Sequence, residues 1–328
     1  METYWRLSMN NKVIIVSGAT ATGKTNLAID IALLMKEKNI DAEIVNFDSI
    51  LFYQELKIGS AMPTEKEKKG IPHHLISIES IKNNLTAACF KEKAEDVIKT
   101  LWKEKKSVIL VGGSGFYLQS LIKGMPENAG RQVPTDIRQK SDDLYREKGI
   151  DAFLEILREK DEKSVEQIHF NDHYRLRRAV EYFWQTSLPF SKIKEEWRRD
   201  GEQKNPFFST TEFHHIHLKI EKKNHFDIIQ QRTHKMIEDG LIEEVQDLLQ
   251  QGFSRENARP LSSVGYKEVL DFLEGKISHI HLEERINIAT RQLAKAQRTW
   301  FNRVDTMKSF DILKERDFLL EDLMKKIS

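Results

Sequence analysis

The sequence predicts an α/β fold: a doubly wound parallel sheet with an inserted helical domain and a helical C-terminal region. Three observations predict it. Short runs, near-continuously apolar or β-branched, alternate with helical patterns in the first third of the chain, as parallel strands covered on both faces do. The alternation then stops for a charged, wholly helical stretch and resumes with one more strand, which reads as an insertion between two strands of one sheet. Beyond that strand the pattern is helical to the end.

Taken in order, the strands are Val13–Ser17, Ala42–Phe47, Leu75–Ile78, Ser107–Val111 and His214–Ile220. Helical patterns separate the first four. From Thr25 to Lys36, Leu27, Ile31, Leu34 and Met35 share one stripe. Thr86 is placed to N-cap a helix that buries Phe90, Ala94, Val97, Leu101 and Trp102. From about Arg131 to Asn205 only charged helical patterns occur, and after Ile220 the helices are punctuated by Gly240, Gly252, Pro260 and Gly275. The boundaries expected are 11–125 for the first part of the core, 126–205 for the insertion, and 206–328 for the last core strand and terminal helices.

In its 328 residues, 39% hydrophobic and 31% charged, the chain has the makings of a globular protein rich in helix. No apolar run approaches the ~20 residues a membrane helix needs, so no membrane association is expected. Met1 to Asn10 lacks a basic region followed by an apolar core, which argues against a signal peptide. The single cysteine, Cys89, excludes an internal disulfide framework and fits a reducing cytoplasm. Lys and Arg (52) nearly balance Asp and Glu (51), so any nucleic-acid surface must be local.

The strongest local signal is Gly18-Ala19-Thr20-Ala21-Thr22-Gly23-Lys24-Thr25, which fits G-x-x-x-x-G-K-(S/T) between the first strand and the first helix. It makes the predicted sheet similar to that of the P-loop NTPases. Its glycines let backbone N–H groups curl toward phosphate oxygens, and the helix N-terminus adds positive dipole. Lys24 supplies charge for the terminal phosphates, and the Thr25 hydroxyl is placed to hold Mg²⁺. A di- or triphosphate is therefore the expected ligand, in the ordinary case a nucleotide such as ATP. The Ser107–Val111 strand does not end in the acidic residue an ATPase normally uses to anchor Mg²⁺, but runs into Gly112-Gly113-Ser114-Gly115. Asp48, ending the second strand, is the other candidate for that role.

Further segments, read together, resemble the tRNA dimethylallyltransferase (isopentenyltransferase) family. They are Asp48-Ser49-Ile50-Leu51-Phe52-Tyr53 with Ile58-Gly59-Ser60-Ala61-Met62-Pro63; Pro72-His73-His74-Leu75; and Gly112-Gly113-Ser114-Gly115-Phe116-Tyr117-Leu118. In the insertion, Asn171-Asp172 precede Arg175, Arg178 and Ala179. Near the end stand Gly265-Tyr266-Lys267-Glu268 and Thr290-Arg291-Gln292-Leu293-Ala294-Lys295, followed by Gln297, Thr299, Trp300 and Phe301. The ordered set covers Val13 to Arg303. It departs from the family pattern at Met62, Tyr174, Ile228 and Ala296.

The resemblance implies transfer of a dimethylallyl group from dimethylallyl diphosphate to the exocyclic N6 amine of an adenosine beside the tRNA anticodon, with release of diphosphate. It implies that the loop residues 18–25 and Arg232 hold the donor, and that Asp48 takes the amine's proton while Ser114 bonds near the reacting groups. It also points to Asp48, Ser49, Ile50, Leu51, Ser114, Arg138, Tyr174, Arg175, Arg178, Arg291, Lys295 and Arg298 as contacts to the tRNA. Mg²⁺ is the expected cofactor, the tRNA anticodon stem–loop the expected partner, and the chain is expected to act as a monomer. The insertion and the final helices would grip the stem–loop, with the target base drawn out of its stack.

The residues alone keep plainer roles open. Asp48 could cap a turn, and Ser114 could N-cap the helix it begins. His73-His74 and His214-His215 with His217 lack nearby cysteines and read as structural, with His214 and His215 on opposite faces of a strand. On a helix from about His281 to Arg303, Ile286, Ala289, Leu293, Ala296 and Trp300 form the expected apolar stripe. Arg291, Lys295 and Arg298 follow another face, either as a phosphate track or as an ordinary solvated surface. The basic patch at Arg175, Arg177 and Arg178 has His173 and Tyr174 beside it for base stacking. A P-loop small-molecule or nucleoside kinase is the competing reading, and a non-catalytic nucleotide-gated RNA-binding protein the third.

Overall fold

The computed structural model describes residues 12–125, 133–193, 205–304 and 307–327. The first residues, and 126–132 and 194–204 of the expected insertion, lie outside the described residues. The chain divides into two units. One comprises Met1–Leu85, Phe90–Gln119 and Phe208–Ser328; the other comprises Thr86–Cys89 and Ser120–Phe207.

The larger unit is built on a six-stranded sheet. Its strands are β1 (Lys12–Gly18), β2 (Ala42–Asn46), β3 (His73–His74), β4 (Ser107–Gly112), β5 (Glu212–Lys219) and β6 (Lys308–Asp311). They run in the spatial order β3-β2-β4-β1-β5-β6, and every pairing is parallel. The order reverses direction between β1 and β4, and the carboxyl ends of strands at such a switch point form a natural crevice for ligands.

Alternation along the strands sends Ile14, Val16, Ile44, Ile109, Val111, Ile216 and Leu218 to one face. There they pack on Leu27, Ile31 and Met35 of α1 (Lys24–Glu37) and on Leu319 and Leu323 of the last helix (Ile312–Ile327). Leu34, expected on the same stripe, is only partly buried. On the other face Ser17, with no exposed surface, places its hydroxyl between His215 Nε2 (2.8 Å) and His217 Nδ1 (3.0 Å). Phe301 lies over both rings. Burial holds both imidazoles well below the ordinary range, at about 4, so they are neutral core groups. His214 points the other way, toward Glu212 at 3.5 Å, as strand alternation requires.

Three sequence expectations are corrected. The third strand is His73–His74, not Leu75–Ile78, because Leu75 and Ser77 adopt left-handed φ values of 58° and 53°. The Leu75 carbonyl accepts from Asn46 Nδ2 at 2.9 Å, which bends the chain away from the sheet. Only a four-residue helix, α2 (Glu65–Lys68), lies between β2 and β3. β6 was unexpected: an edge strand of sequence Lys-Ser-Phe-Asp carries one apolar residue, too little for a periodic signal.

The third helix, α3 (Ala87–Lys103), begins where expected: Thr86 Oγ1 accepts from the Cys89 N–H at 3.2 Å. Ala87, Phe90, Ala94, Ile98 and Leu101 are its buried residues, and Val97 and Trp102 are half-buried. Next comes α4 (Gly115–Lys123).

The smaller unit holds α5 (Thr135–Lys148), α6 (Asp151–Lys160), α7 (Glu162–Gln167) and α8 (His173–Thr186). Phe153, Leu157, Ile168, Leu176, Ala179 and Val180 form its core. The Asn171-Asp172 pair has a local cause. Asp172 is the N-cap of α8, its carboxylate accepting from the Arg175 N–H at 3.1 Å.

After β5 the larger unit continues with α9 (Lys222–Glu238), α10 (Leu241–Gln250), α11 (Tyr266–Leu273) and α12 (His279–Phe301). None of the helices among the described residues is long and apolar enough to cross a membrane.

Candidate active site at the carboxyl end of the sheet

Residues 18–25 join β1 to α1 at the carboxyl edge of the sheet. Gly23 takes a left-handed φ of 77° as the residue before α1, a conformation that favours glycine, and the turn it makes starts the helix at Lys24. The loop is braced from inside. The Ala19 carbonyl accepts from Thr22 Oγ1 and from Lys24 Nζ, both at 2.8 Å. Thr25 lies in the first turn of α1, partly exposed.

Two cations and one carboxylate converge there. Arg232 comes from α9, and Asp48 follows β2. Both keep some solvent contact, as does Lys24, yet desolvation pushes the Lys24 ammonium down to about 8. Asp48 opposes that shift and Arg232 adds to it. Desolvation also lowers the Arg232 guanidinium, again against the pull of Asp48. An anion entering this crevice would restore to both cations what they lack.

The strand-end aspartate is held by its own turn. Its N–H donates to Asn46 Oδ1 at 2.9 Å, Asn46 Nδ2 donates to its carbonyl at 3.0 Å, and Asp48 Oδ1 accepts weakly from the Ile50 N–H at 3.4 Å. Backbone capping therefore fixes the turn and leaves the carboxylate largely unspent. Ser49, Ile50 and Leu51 follow, all partly exposed. Ser114, after β4, accepts the Ser49 N–H at 3.2 Å, and the two hydroxyls are 3.4 Å apart. The turns after β2 and β4 are thus tied at the point where Asp48 and Ser114 stand.

Two helices close over the phosphate loop. Ile229 of α9 and Ala294 of α12 pack on Ala19. Thr20 is held at both backbone groups: its N–H donates to Gln297 Oε1 at 2.7 Å, and its carbonyl accepts from His225 Nε2 at 2.9 Å. Arg298 Nη1 approaches His225 Nδ1 at 3.0 Å, so this imidazole is neutral with its proton on Nε2. Burial lowers its pKa, Arg298 and Lys24 add to the shift, and the bond to Thr20 opposes it. The Thr20 amide is therefore spent on α12.

The predicted apolar stripe of α12 is corrected in part by its burial pattern. Leu293 (38% exposed) and Ala296 face outward, while Leu282, Ile286, Asn287, Ala294 and Phe301 are buried. Arg298 consequently turns toward His225, and Arg291 lies over the Phe226 ring at 5.1 Å. Lys295 remains exposed.

On α8, Tyr174 and Arg175 face solvent. Arg178 turns inward to Glu181 at 3.7 Å, and Arg138 reaches the same carboxylate at 3.3 Å. Arg177 pairs with Asp142 and lies over the Tyr145 ring at 4.8 Å, and His173 Nδ1 bonds the Tyr145 hydroxyl at 2.8 Å. His173 and Arg177 are thus engaged within the unit.

Sequence reasoning missed Glu244. From α10 it accepts the N–H groups of Lys57 (3.0 Å), Ile58 (2.8 Å) and Gly59 (3.3 Å), and the Tyr266 hydroxyl donates to it at 2.7 Å. This carboxylate links the Ile58-Gly59 segment to the Gly265-Tyr266 segment. A glutamate on an amphipathic helix carries no signal of such a role. His73 and His74 bond the Ile71 carbonyl (2.8 Å) and Glu43 (2.6 Å). No cluster of three metal-ligating side chains occurs among the described residues.

Residues 51–304 match the family model of the IPP transferases. The chain is 36% identical to the tRNA dimethylallyltransferase of Carboxydothermus hydrogenoformans over 97% of each chain. It is 32% identical to tRNA dimethylallyltransferase 2 of Geotalea daltonii over 89% of this chain and 85% of that one. Its structure resembles the crystal structure of the tRNA isopentenylpyrophosphate transferase of Staphylococcus epidermidis, with a TM-score of 0.67 and 29% identity, covering 97% of this chain and 98% of that one.

Proposed function

We propose that this chain, which belongs to the IPP transferase family, modifies tRNA by dimethylallyl transfer, with dimethylallyl diphosphate as its donor and the exocyclic amine of the adenosine beside the anticodon as its acceptor. One observation carries this reading. The cations Lys24 and Arg232 both stand within the electrostatic reach of the Asp48 carboxylate at the mouth of a phosphate loop. An anion-leaving site thus lies beside a proton acceptor.

The reaction breaks the donor's C–O bond as the amine nitrogen bonds to the same carbon. Negative charge grows on the departing diphosphate, and Lys24, Arg232 and the loop amides not spent on α12 stabilise it more as it grows. The amine becomes cationic as it attacks and gives its proton to Asp48, while the Ser114 hydroxyl orients the acceptor. Asp48 remains partly open to solvent, as a group that must meet an incoming base has to be. The site fits Mg²⁺: the Thr25 hydroxyl would hold an ion that takes its other ligands from phosphate and water. Bound there, the ion would neutralise further charge on the diphosphate.

The tRNA would be met by Tyr174 and Arg175 on α8 and by Lys295 on α12, with the protein acting as a monomer. Tyr174 offers a stacking face and the two cations offer phosphate contacts. The phosphate loop alone would equally suit a kinase, but the family match and the named relatives do not favour that.

The test is to incubate the protein with unmodified tRNA and either dimethylallyl diphosphate or ATP. Prenylated adenosine and free diphosphate should appear with the first donor only. Phosphoryl transfer from ATP, or no prenylation at saturating donor, would overturn the proposal.

A further inference from the structure

The side-chain amide of Gln297 spans two loops that have different tasks in the proposed reaction. Its Oε1 accepts from the Thr20 N–H of the phosphate loop at 2.7 Å, and its Nε2 donates to the Gly113 carbonyl at 3.1 Å. The partners fix the amide's orientation, because a backbone N–H requires the oxygen and a backbone carbonyl requires the nitrogen. Thr20 belongs to the loop assigned to the donor. Gly113 precedes Ser114, whose hydroxyl holds the turn carrying Asp48 through Ser49.

Space at this point is set by the glycines. A Cβ on Gly113 would stand 2.5 Å from Gln297 Nε2 and 3.4 Å from Asp48 Oδ2, so the amide and the carboxylate border the same small volume. A Cβ on Gly115 would stand 2.1 Å from the Trp300 ring, less than one turn further along α12. The bare Gly-Gly-Ser-Gly turn is what admits α12 to this depth. Ala294, on the same helix, packs on Ala19 and holds α12 in register with the loop.

We infer that Gln297 is a positioning residue that sets the distance between the donor loop and the acceptor-side pair Asp48 and Ser114, an inference that rests on the functions proposed for those groups. In the reaction, nitrogen and carbon must be held about 3–3.5 Å apart, and a misplacement of about 1 Å can cost on the order of 10²-fold in rate. A single rigid amide bonded to both loops holds that separation before either substrate arrives. Because it binds neither substrate, its loss appears in turnover and not in affinity.

The experiment is steady-state kinetics of Gln297→Leu and Gln297→Glu with tRNA and dimethylallyl diphosphate, alongside melting curves. For Gln297→Leu, kcat should fall by ~10–100-fold while both KM values stay within about threefold. Gln297→Glu is the sharper arm. Ionised, the carboxylate still accepts from Thr20 but repels the Gly113 carbonyl; protonated, it reproduces both bonds. Its kcat relative to wild type at the same pH should therefore rise as pH falls from about 8 to about 5. Wild-type kcat in both variants would overturn the inference. A raised donor KM with kcat retained would also overturn it, reducing Gln297 to a support of phosphate binding. So would a rate loss that tracks a lowered melting temperature with no pH recovery in Gln297→Glu. If the wild type itself fails to prenylate tRNA, the proposed function fails first, and the two failures are separate.

Discussion

The carboxyl end of the sheet gathers basic residues from distant segments and helix α8 carries its own within one segment, and the structure completes their electrostatics differently. At the sheet, Lys24 and Arg232 are both influenced by Asp48, and desolvation takes Lys24 down to about 8. On α8 each arginine has an acid of its own fold: Arg175 has Asp172 at 3.3 Å, Arg177 has Asp142, and Arg178 shares Glu181 with Arg138. Positive charge left over after folding marks a place for an anion. Positive charge matched by a nearby carboxylate serves the unit that contains it, unless the pair is exposed enough to exchange partners.

The largest effect expected from this contrast is at Asp48. Asp48→Asn keeps the shape of the turn and removes the proton acceptor, so the single-turnover rate should fall by ~10²–10⁴ with both substrate affinities within a few-fold. Recovery on raising Mg²⁺, or a normal rate at saturation, would remove the aspartate from proton transfer and make the sheet end a plain anion site.

Lys24 tests the unfinished charge directly. Its ammonium, at about 8 in the free protein, is stabilised when a diphosphate binds, so the bound form has the higher pKa. Donor affinity is then complete below about pH 8 and falls as pH rises above it, by roughly tenfold per unit. Lys24→Ala should raise donor KM and lower kcat at neutral pH, because the cation is worth more as charge develops. In Lys24→Arg the upward break in donor KM above pH 8 should vanish, since a guanidinium stays charged there. A break at the same pH in that variant would assign the titration to another group.

How far the sequence could be read follows the same division. The phosphate loop was legible because its function lies in backbone geometry that glycine spacing records. β1, β2 and β4 were legible as near-continuous apolar or β-branched runs, and β5 as a weaker run with histidines among its apolar residues. β6 was not, since a four-residue edge strand with only Phe310 apolar has no period to detect. Nor was the facing of α12, because beside Ala294 its contact with the phosphate loop is made by Gln297, a polar residue, while Arg298 turns to His225. The expected apolar stripe was therefore right at Ile286, which is buried, and wrong at Leu293 and Ala296, which are exposed. The roles of Glu244 and Gln297 depend on partners more than 180 residues away, which no local pattern carries.

On α8 the contrast predicts a stability effect. Glu181 is 1% exposed, and Arg178→Ala leaves it to Arg138 alone. The loss should be about 2–3 kcal/mol, below the usual cost of breaking a buried pair because one partner remains. Donor KM should not change. Adding Glu181→Gln should restore much of the stability, since the buried charge is then gone. An unchanged melting temperature with weakened tRNA binding would show that Arg178 leaves Glu181 for the nucleic acid.

The smallest effect, and the finest test of the comparison, is at Arg175. Its side chain is 67% exposed, and its ion pair with Asp172 spans 3.3 Å at the start of α8. An exposed pair of this kind contributes at most about 1 kcal/mol. Arg175→Ala should hardly move the melting temperature, because the cap bond from Asp172 uses the backbone N–H of residue 175 and survives the substitution. If Arg175 leaves Asp172 for a phosphate, tRNA affinity at low salt should drop by about three- to tenfold. The slope of log affinity against log salt should flatten by up to about one unit. Asp172→Asn separates this from a mere change of helix stability. Asparagine keeps an oxygen for the cap and removes the competing charge, so it should bind tRNA slightly more tightly than wild type while melting at nearly the same temperature. If Asp172→Asn weakens binding instead, the aspartate is what orients Arg175 toward the phosphate. The exposed pair would then be as finished a network as the buried one at Glu181.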